Sequence, residues 1–276
     1  MSQADIDIEL RGVRPAAVAG QFYPNDPEEL GSWVKSLLGN AACGAGPAPK
    51  ALIVPHAGYM FSGPIAASGY ARLAPARDRI KRVVLLGPSH RAVFEGLATV
   101  SVSAFATPLG LVPVDAAGLR QVASLGQVSV NDEAHAHEHA LEVQLPFLQT
   151  VLGRFALVPL VVWQAETEAI SQVLEAVWGG TETCIIISSD LSHYHSPALA
   201  ERMDKATAAA IEALSPEGIS EDGACGRRPI CGLLQAARRR GLRARTLVLR
   251  NSGDAGGPRE RVVGYGAFVF EEQAAR

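Results

Sequence analysis

The sequence predicts one α/β domain with a mainly parallel central sheet and helices on both faces. Short apolar runs rich in β-branched residues alternate with helical patterns along the whole chain. Several of these runs are apolar at every position, as strands buried on both faces are. No change in composition and no internal repeat divides the 276 residues, so we expect a single domain over 1–276.

The composition is that of a globular protein with a large core. Hydrophobic residues make up 48% of the chain and charged residues 19%, which argues against global disorder. The net charge of −3 argues against a nucleic-acid-binding face, which is usually basic. No apolar run reaches the roughly 20 residues that span a bilayer, and the acidic N-terminus has no signal-like apolar core. We therefore expect a cytoplasmic protein without nucleic-acid or membrane partners.

Capping signals and periodicity predict the elements of the first half of the chain. Asp26-Pro27-Glu28-Glu29 is typical of a helix start, with aspartate as the N-cap and proline at the first helical position. The apolar runs 51–54 and 83–86 predict strands, and Ser62-Gly63-Pro64 predicts the start of a helix that reaches about Leu73. The remaining elements of this half are a strand over 97–102, a turn over 104–110 and a helix over 116–124 capped by Asp115.

The second half begins with the densest polar stretch, 131–142, whose first part, 131–138, predicts a loop. A mixed apolar pattern follows and predicts a helix over 139–151. The other predicted elements are strands over 155–162, 184–188, 245–249 and 262–269, and helices over 166–178, 197–213 and 226–240. An antiparallel pair at an edge of the sheet, from 97–102 or from the C-terminus, would be ordinary.

Three of the predicted strands are each followed by a histidine. His56 follows strand 51–54, His90 follows strand 83–86, and His193 follows strand 184–188. The carboxyl ends of parallel strands meet at one edge of a sheet, where ligands bind. Because neutral imidazole is the commonest metal ligand and suits iron, copper, nickel and zinc, we predict that His56 and His90 share a metal. The alternative is a hydrogen-bonded polar cluster at the sheet edge.

Two further pairs of polar residues are candidates for proton transfer. Asp190 and His193 are three residues apart and would share a face of a helical turn. They could be metal ligands, a pair that hydrogen-bonds to the ligands, or a general acid and base. Helix capping by Asp190 or Ser192 is the structural alternative. His139 precedes an apolar segment and has Glu142 one turn on, so it is a candidate general acid or base. Its alternative is a histidine packed at a helix start.

Cys225 is the fourth kind of candidate, because it precedes Arg227 and Arg228 near a helix start. Guanidinium groups and a helix N-terminus lower the pKa of a thiol. We therefore predict a reactive thiol that serves as a nucleophile or as a soft metal ligand. The chain lacks the glycine-rich loops for dinucleotides and phosphates, the nucleophile elbow and the zinc-protease helix motif, which leaves these side chains as the main chemical signal.

Together these motifs resemble the Memo-like family, whose bacterial and archaeal members are called AmmeMemoRadiSam system protein B. The resemblance extends over nearly the whole chain. Its segments are 19–24, Pro55–Tyr59, Gly87–His90, Thr107–Gly110, Glu138–Glu142, Ser189–His193, Cys225–Arg227 and Gly264–Phe268.

The fold of this family resembles that of class III extradiol dioxygenases, non-haem iron enzymes that open catechol rings. The resemblance implies a metal site that is made by His56, His90 and Cys225 and lined by Asp190, His193 and His139. The dioxygenases use two histidines and a carboxylate. A cysteine in the third position departs from that pattern, because thiolate favours copper(I) or zinc more than a carboxylate does.

Three functions are consistent with these residues. The first is a non-haem iron-dependent oxidoreductase or dioxygenase that acts on a small, aromatic substrate. In it, the proton-transfer residues are His193, Asp190 and His139, and the substrate-binding residues are Tyr59, Arg227 and Glu142. The second is a zinc-dependent hydrolase, because zinc lowers the pKa of its bound water to about 7. The third is a non-catalytic adaptor that binds phosphopeptides or other anions.

We expect one divalent metal as the cofactor, with Fe(II) as the first choice and copper and zinc as alternatives. The expected partners are a small-molecule substrate and, from the family resemblance, other proteins of the AmmeMemoRadiSam system.

Overall fold

A computed structural model describes residues 8–41 and 46–272, so the N-terminus on which the signal-peptide argument rests lies outside the described residues. The strands are β1 (Val13–Arg14), β2 (Ala51–Val54), β3 (Arg82–Pro88), β4 (Leu97–Thr99), β5 (Ala104–Thr107), β6 (Gly110–Pro113), β7 (Val128–Val130), β8 (Ala156–Val162), β9 (Thr183–Ser188), β10 (His193–His195), β11 (Leu242–Asn251) and β12 (Val262–Glu272). The α-helices are α1 (Pro27–Gly39), α2 (Tyr59–Tyr70), α3 (Ala116–Ala123), α4 (Asp132–Ala136), α5 (Leu145–Val151), α6 (Thr167–Ala176), α7 (Pro197–Glu212) and α8 (Arg227–Arg239). Short 3₁₀ helices cover Ala71–Ala76, Glu142–Gln144, Pro216–Gly218, Glu221–Gly223 and Ser252–Ala255.

A nine-stranded sheet in the order β10-β12-β2-β9-β3-β8-β4-β7 organises the molecule, with β11 paired to β12. Its four middle strands are parallel neighbours, β2 to β9, β9 to β3 and β3 to β8. Antiparallel pairs lie on either side, where β12 joins β2 and where β4 joins β8. The predicted α/β fold is confirmed, as a mixed sheet flanked by helices with its parallel strands at the centre. A second sheet, β1-β5-β6, lies apart from it.

The core lies against the middle strands because their sequences are apolar throughout. Every residue of β2 and of β9 is buried. Ile53 pairs with Phe268 on one side and with Ile187 on the other, and all three side chains are fully buried. Such strands cannot lie at a solvent-exposed edge, which fixes the parallel centre of the sheet.

Helix boundaries agree with the capping signals at α1 and α3 but not at α2. The carboxylate of Asp26 accepts hydrogen bonds from the backbone N–H groups of Glu28 and Glu29, and Asp115 caps α3. Helix α2 begins at Tyr59 rather than at Ser62, because the Gly58 carbonyl already accepts from Ser62 N. Pro64 therefore lies inside the helix.

Three local predictions are wrong. Residues 104–110, predicted as a turn, contain β5 and the start of β6, which form an antiparallel hairpin. The polar stretch 131–138 contains the short helix α4, because the Asn131 side chain caps it at Ala134 N. His139 does not start a helix; it precedes the 3₁₀ turn that leads into α5. Within the described ranges, every helix is too short or too polar to cross a bilayer.

Candidate metal centre

Three neighbouring parallel strands deliver polar residues to one edge of the sheet. Strand β2 ends at Val54, two residues before His56, and β3 ends at Pro88, two residues before His90. Strand β9 lies between them and ends two residues before Asp190. Because β2, β9 and β3 run in the same direction, all three side chains come to the carboxyl edge of the sheet. The strand-end prediction named His193 for the third strand, and the structure places Asp190 nearer the end of that strand.

His56, His90 and His139 form a group that can hold a metal ion. One ligand nitrogen from each ring lies within 4.8 Å of the others. The ring centroids of His56 and His90 are 5.2 Å apart, and that of His139 lies 5.4 Å from His56 and 4.6 Å from His90. The structure thus adds His139, predicted as an acid or base, to the two histidines that were predicted to share a metal.

Hydrogen bonds fix the tautomer of His56. Its Nδ1 lies 2.9 Å from Ser188 Oγ, which also accepts from Gln144 Nε2 at 2.8 Å. The Ser188 hydroxyl donates its hydrogen to the Ala140 carbonyl. Because a hydroxyl has only one hydrogen to donate, His56 Nδ1 must carry the proton of its hydrogen bond to Ser188. The lone pair of His56 Nε2 is therefore free for a metal.

Glu138 orients the other two imidazoles. Its Oε1 lies 2.9 Å from His90 Nδ1 and 3.4 Å from His139 Nδ1, and its Oε2 accepts from the His90 backbone N–H at 2.6 Å. Burial alone would raise the pKa of Glu138, but hydrogen bonds from His90 and from Ala140 N lower it to about 2. The ionised carboxylate can only accept, so Nδ1 of His90 donates and its Nε2 is free.

Burial lowers the pKa of two imidazoles of this group, those of His56 and His139. Desolvation, together with the nearby His90, lowers the pKa of His56 to about 3. Desolvation and the nearby His56 lower the pKa of His139 to about 4. Neutral rings offer lone pairs at neutral pH, which is the state that metal coordination requires. The donor set therefore fits a divalent transition metal.

Cys225 lies beside this group. Its Sγ is 3.3 Å from His56 Nε2, which places it at the predicted site. The predicted low pKa of its thiol is wrong for the metal-free protein, because burial and the neighbouring Asp190 carboxylate raise that pKa to about 12. The sulfur must therefore lose a proton before it can bind a metal.

Asp190 and His193 also lie close to the histidines. Asp190 is buried and its Oδ1 accepts from His56 N at 2.7 Å; burial raises the pKa of its carboxyl group. His193 Nδ1 donates to the Leu191 carbonyl at 2.8 Å, so its Nε2 is unprotonated in the neutral ring. The predicted helical turn between Asp190 and His193 is wrong, because the chain there is extended and enters β10.

Tyr59 and Glu142 belong to the core instead. The Tyr59 hydroxyl is buried and donates to the Val143 carbonyl at 2.6 Å. Glu142 is fully buried, and its carboxylate accepts from four groups, the Arg14 guanidinium, Ala17 N, Val18 N and the Tyr23 hydroxyl. The structure gives both side chains a structural role in place of the substrate contacts predicted from the sequence.

A cavity of about 420 Å³ opens beside His90 and Cys225. Its walls are formed by Pro88, Ser89, His90, Val162, Trp163, Glu221, Ala224, Cys225, Arg227, Arg228 and Pro229. Its volume is that of a pocket for a small organic molecule. Arg227, predicted to contact substrate, lines it, whereas Trp163 and Arg228 were not predicted. No motif in the sequence singled out Trp163, which follows the last residue of β8.

Comparison with known proteins identifies relatives that match most of the chain. A family model described as Memo-like protein matches residues 14–269. A MEMO1 family protein from Methanopyrus kandleri is 36% identical, with 93% of this chain and 98% of the relative covered. MEMO1 family proteins from Aeropyrum pernix and Aquifex aeolicus are 37% and 35% identical, with 92% and 94% of this chain and 98% and 99% of each relative covered. The chain carrying this three-histidine site therefore belongs to the Memo-like protein family.

Proposed function

We propose that the protein is a metal-dependent oxidoreductase of the dioxygenase type that acts on a small aromatic substrate. The observation that carries the proposal is the convergence of three imidazoles, from His56, His90 and His139, beside a cavity of about 420 Å³. His56 and His90 each have a free Nε2, and their Nδ1 atoms are held by Ser188 and Glu138. Fe(II) bound there would supply a redox couple for the activation of dioxygen.

Cys225 adds a soft donor to this set. Its Sγ lies 3.3 Å from His56 Nε2, so it is placed to join the three imidazoles once its proton is lost. A thiolate beside imidazoles also suits copper and zinc, which are the alternative metals.

Asp190 and His193 are the proposed proton carriers. The raised pKa of the Asp190 carboxyl brings it closer to neutral pH, where an acid that exchanges a proton works best. His193 is half-buried, and because its Nδ1 is used on the Leu191 carbonyl, its Nε2 is the atom that would exchange a proton. The proposed partners are a small-molecule substrate in the cavity and the other proteins of the AmmeMemoRadiSam system.

Oxygen consumption tests this function. Protein purified without oxygen is loaded separately with Fe(II), copper or zinc and assayed over a panel of catechols. We expect uptake that depends on both iron and catechol, that is abolished in His90→Ala and that is retained in the matched variant His137→Ala, because His137 is exposed and outside the metal group. Absence of uptake with all three metals would exclude an oxidoreductase acting on catechols.

A zinc-dependent hydrolase is the second candidate, and the ligand set favours it. The metal group consists of three histidines and no carboxylate, which is the ligand set of some zinc enzymes that activate water. Hydrolysis of esters by the zinc-loaded protein in the absence of oxygen, lost in His90→Ala, would support this candidate over the first.

A further inference from the structure

The cavity beside the metal group carries an excess of positive charge. Arg227 and Arg228 line it at the start of α8, and Glu221 is the only acidic residue in its wall. In the described part of the chain, neither arginine lies within 4.0 Å of a carboxylate oxygen. The other end of the same helix differs, because Arg239 is paired with Glu168 there. Unpaired cations in a cavity wall are available to a ligand.

Both guanidinium groups are held in place by one backbone carbonyl each. Arg227 Nε donates to Ile219 O at 2.9 Å, and Arg228 Nη1 donates to Ala165 O at 3.1 Å. Their other N–H groups have no acceptor among the described residues. A guanidinium that is already oriented loses little freedom when it binds a planar or tetrahedral anion.

The start of α8 adds one backbone donor at the same place. Gly226 N donates to Ser189 Oγ, Arg227 N donates to Ala224 O and Pro229 has no N–H, so among the described residues only the Arg228 N–H of the first turn lacks an acceptor. The helix is 13 residues long, and the positive end of its dipole lies where the two arginines are. The helix dipole and the two guanidinium groups therefore both favour an anionic ligand.

The rest of the cavity wall contains aliphatic and aromatic surface. Val162, Pro88 and Pro229 line the space together with the half-buried Trp163. The Trp163 Nε1–H is buried away from the open space, so this residue offers the surface of its ring to a ligand rather than its N–H group. A flat apolar surface opposite two cations suits an anion that carries an aromatic or aliphatic body.

We propose that this cavity binds a small organic anion. Its carboxylate or phosphate group lies between Arg227 and Arg228, and its apolar body packs on Trp163 and points toward His90 and Cys225. That the end of the ligand near His90 is the end that reacts rests on the proposed function. Binding of the anion itself does not need a metal.

Calorimetric titration of the full chain, freed of metal, tests this site with benzoate, phenyl phosphate and the uncharged benzyl alcohol. We expect benzoate or phenyl phosphate to bind at least about tenfold more tightly than benzyl alcohol, since charge-assisted hydrogen bonds are the strong ones. Whichever of benzoate and phenyl phosphate binds more tightly shows whether the cavity prefers a carboxylate or a phosphate group. The double variant Arg227→Gln/Arg228→Gln should lose at least about tenfold in affinity, and the control Arg238→Gln, an exposed arginine at the far end of α8, less than about twofold.

A second variant covers the case in which the double variant fails to fold. Trp163→Ala removes the aromatic surface of the cavity wall, and we expect it to weaken benzoate binding severalfold. Equal binding of benzoate and benzyl alcohol, no binding of either anion, or full affinity in a folded Arg227→Gln/Arg228→Gln variant would overturn the proposal. Metal content is measured on the same proteins. Anion binding by a wild-type chain that takes up no metal would refute the proposed function and leave this inference standing.

Discussion

Two buried glutamates four positions apart, Glu138 and Glu142, have opposite roles in this molecule. Glu142 binds the Arg14 guanidinium, two backbone N–H groups and the Tyr23 hydroxyl, and it is fully buried. Glu138 is also buried, but its carboxylate is hydrogen-bonded to His90 Nδ1 and lies 3.4 Å from His139 Nδ1. An imidazole held at one nitrogen still has a second nitrogen to offer, whereas an arginine or tyrosine held in this way offers nothing further to a metal.

The difference separates a closed polar network, around Glu142 and Arg14, from an open one, around Glu138. The closed network satisfies its charges internally and connects the N-terminal segment to the chain near Glu142. The open network ends in ring nitrogens that face one another. Disruption of the closed network should therefore cost stability, and disruption of the open one should cost metal affinity.

The largest expected effect is that of Glu142→Gln, because it leaves the buried Arg14 without its counter-charge. Breaking a buried ion pair in this way costs about 3–5 kcal/mol, which we expect as a loss in the free energy of unfolding measured with urea. The control Glu201→Gln breaks the exposed pair with Lys205 and should cost at most about 1 kcal/mol. Similar losses in both variants would contradict the closed network.

The second largest expected effect is a loss of stability on acidification, through His135 beside the closed network. His135 is buried, its carbonyl accepts from Arg14 Nε, and burial lowers the pKa of its ring to about 4. Between about pH 6.5 and pH 4 the unfolded chain binds a proton at this position and the folded chain does not, so the stability falls as the pH falls. Over this pH range, the decrease in the free energy of unfolding that is caused by His135 amounts to at most about 3 kcal/mol.

Urea unfolding of the metal-free protein at several pH values measures this effect. In His135→Gln the free energy of unfolding should depend less on pH between 6.5 and 4 than in the wild type. The exposed His137 supplies the control, since His137→Gln should keep the wild-type slope. An unchanged slope in His135→Gln would show that another group is responsible.

The open network should respond to Glu138→Gln mainly through the metal. Replacing the carboxylate by an amide removes the ionised acceptor of His90 Nδ1, and loss of such an outer hydrogen bond weakens metal binding by about 10- to 100-fold. Competition with a chelator measures the affinity. Unchanged affinity in a folded Glu138→Gln protein, or the same loss in Glu142→Gln, would remove the distinction between the two networks.

The sequence predicted the parts of the site that strands deliver. Apolar runs predicted the buried strands that His56, His90 and His193 follow, and parallel strands bring their carboxyl ends to one edge. Nothing in the residue pattern distinguished Glu138 from Glu142, because both flank His139 in one polar stretch. Which carboxylate meets a histidine and which meets an arginine depends on the distant Arg14, and residue spacing does not carry that information.

The thiol of Cys225 shows a second limit. Two arginines next to it in sequence predicted a low pKa, yet burial and Asp190 raise the pKa to about 12. The guanidinium groups are held by the carbonyls of Ile219 and Ala165, and they line the cavity wall. Neighbours in sequence therefore did not determine the electrostatic surroundings of this sulfur.

The metal content of single variants tests the central claim, that three imidazoles hold the metal, most directly. Each protein is purified without oxygen, incubated with Fe(II), desalted and analysed for bound iron. We predict that His56→Ala, His90→Ala and His139→Ala each lose the metal, whereas Cys225→Ser retains it. Retention of a full equivalent in His139→Ala, together with its loss in Cys225→Ser, would contradict the claim and restore a site made of two histidines and the cysteine.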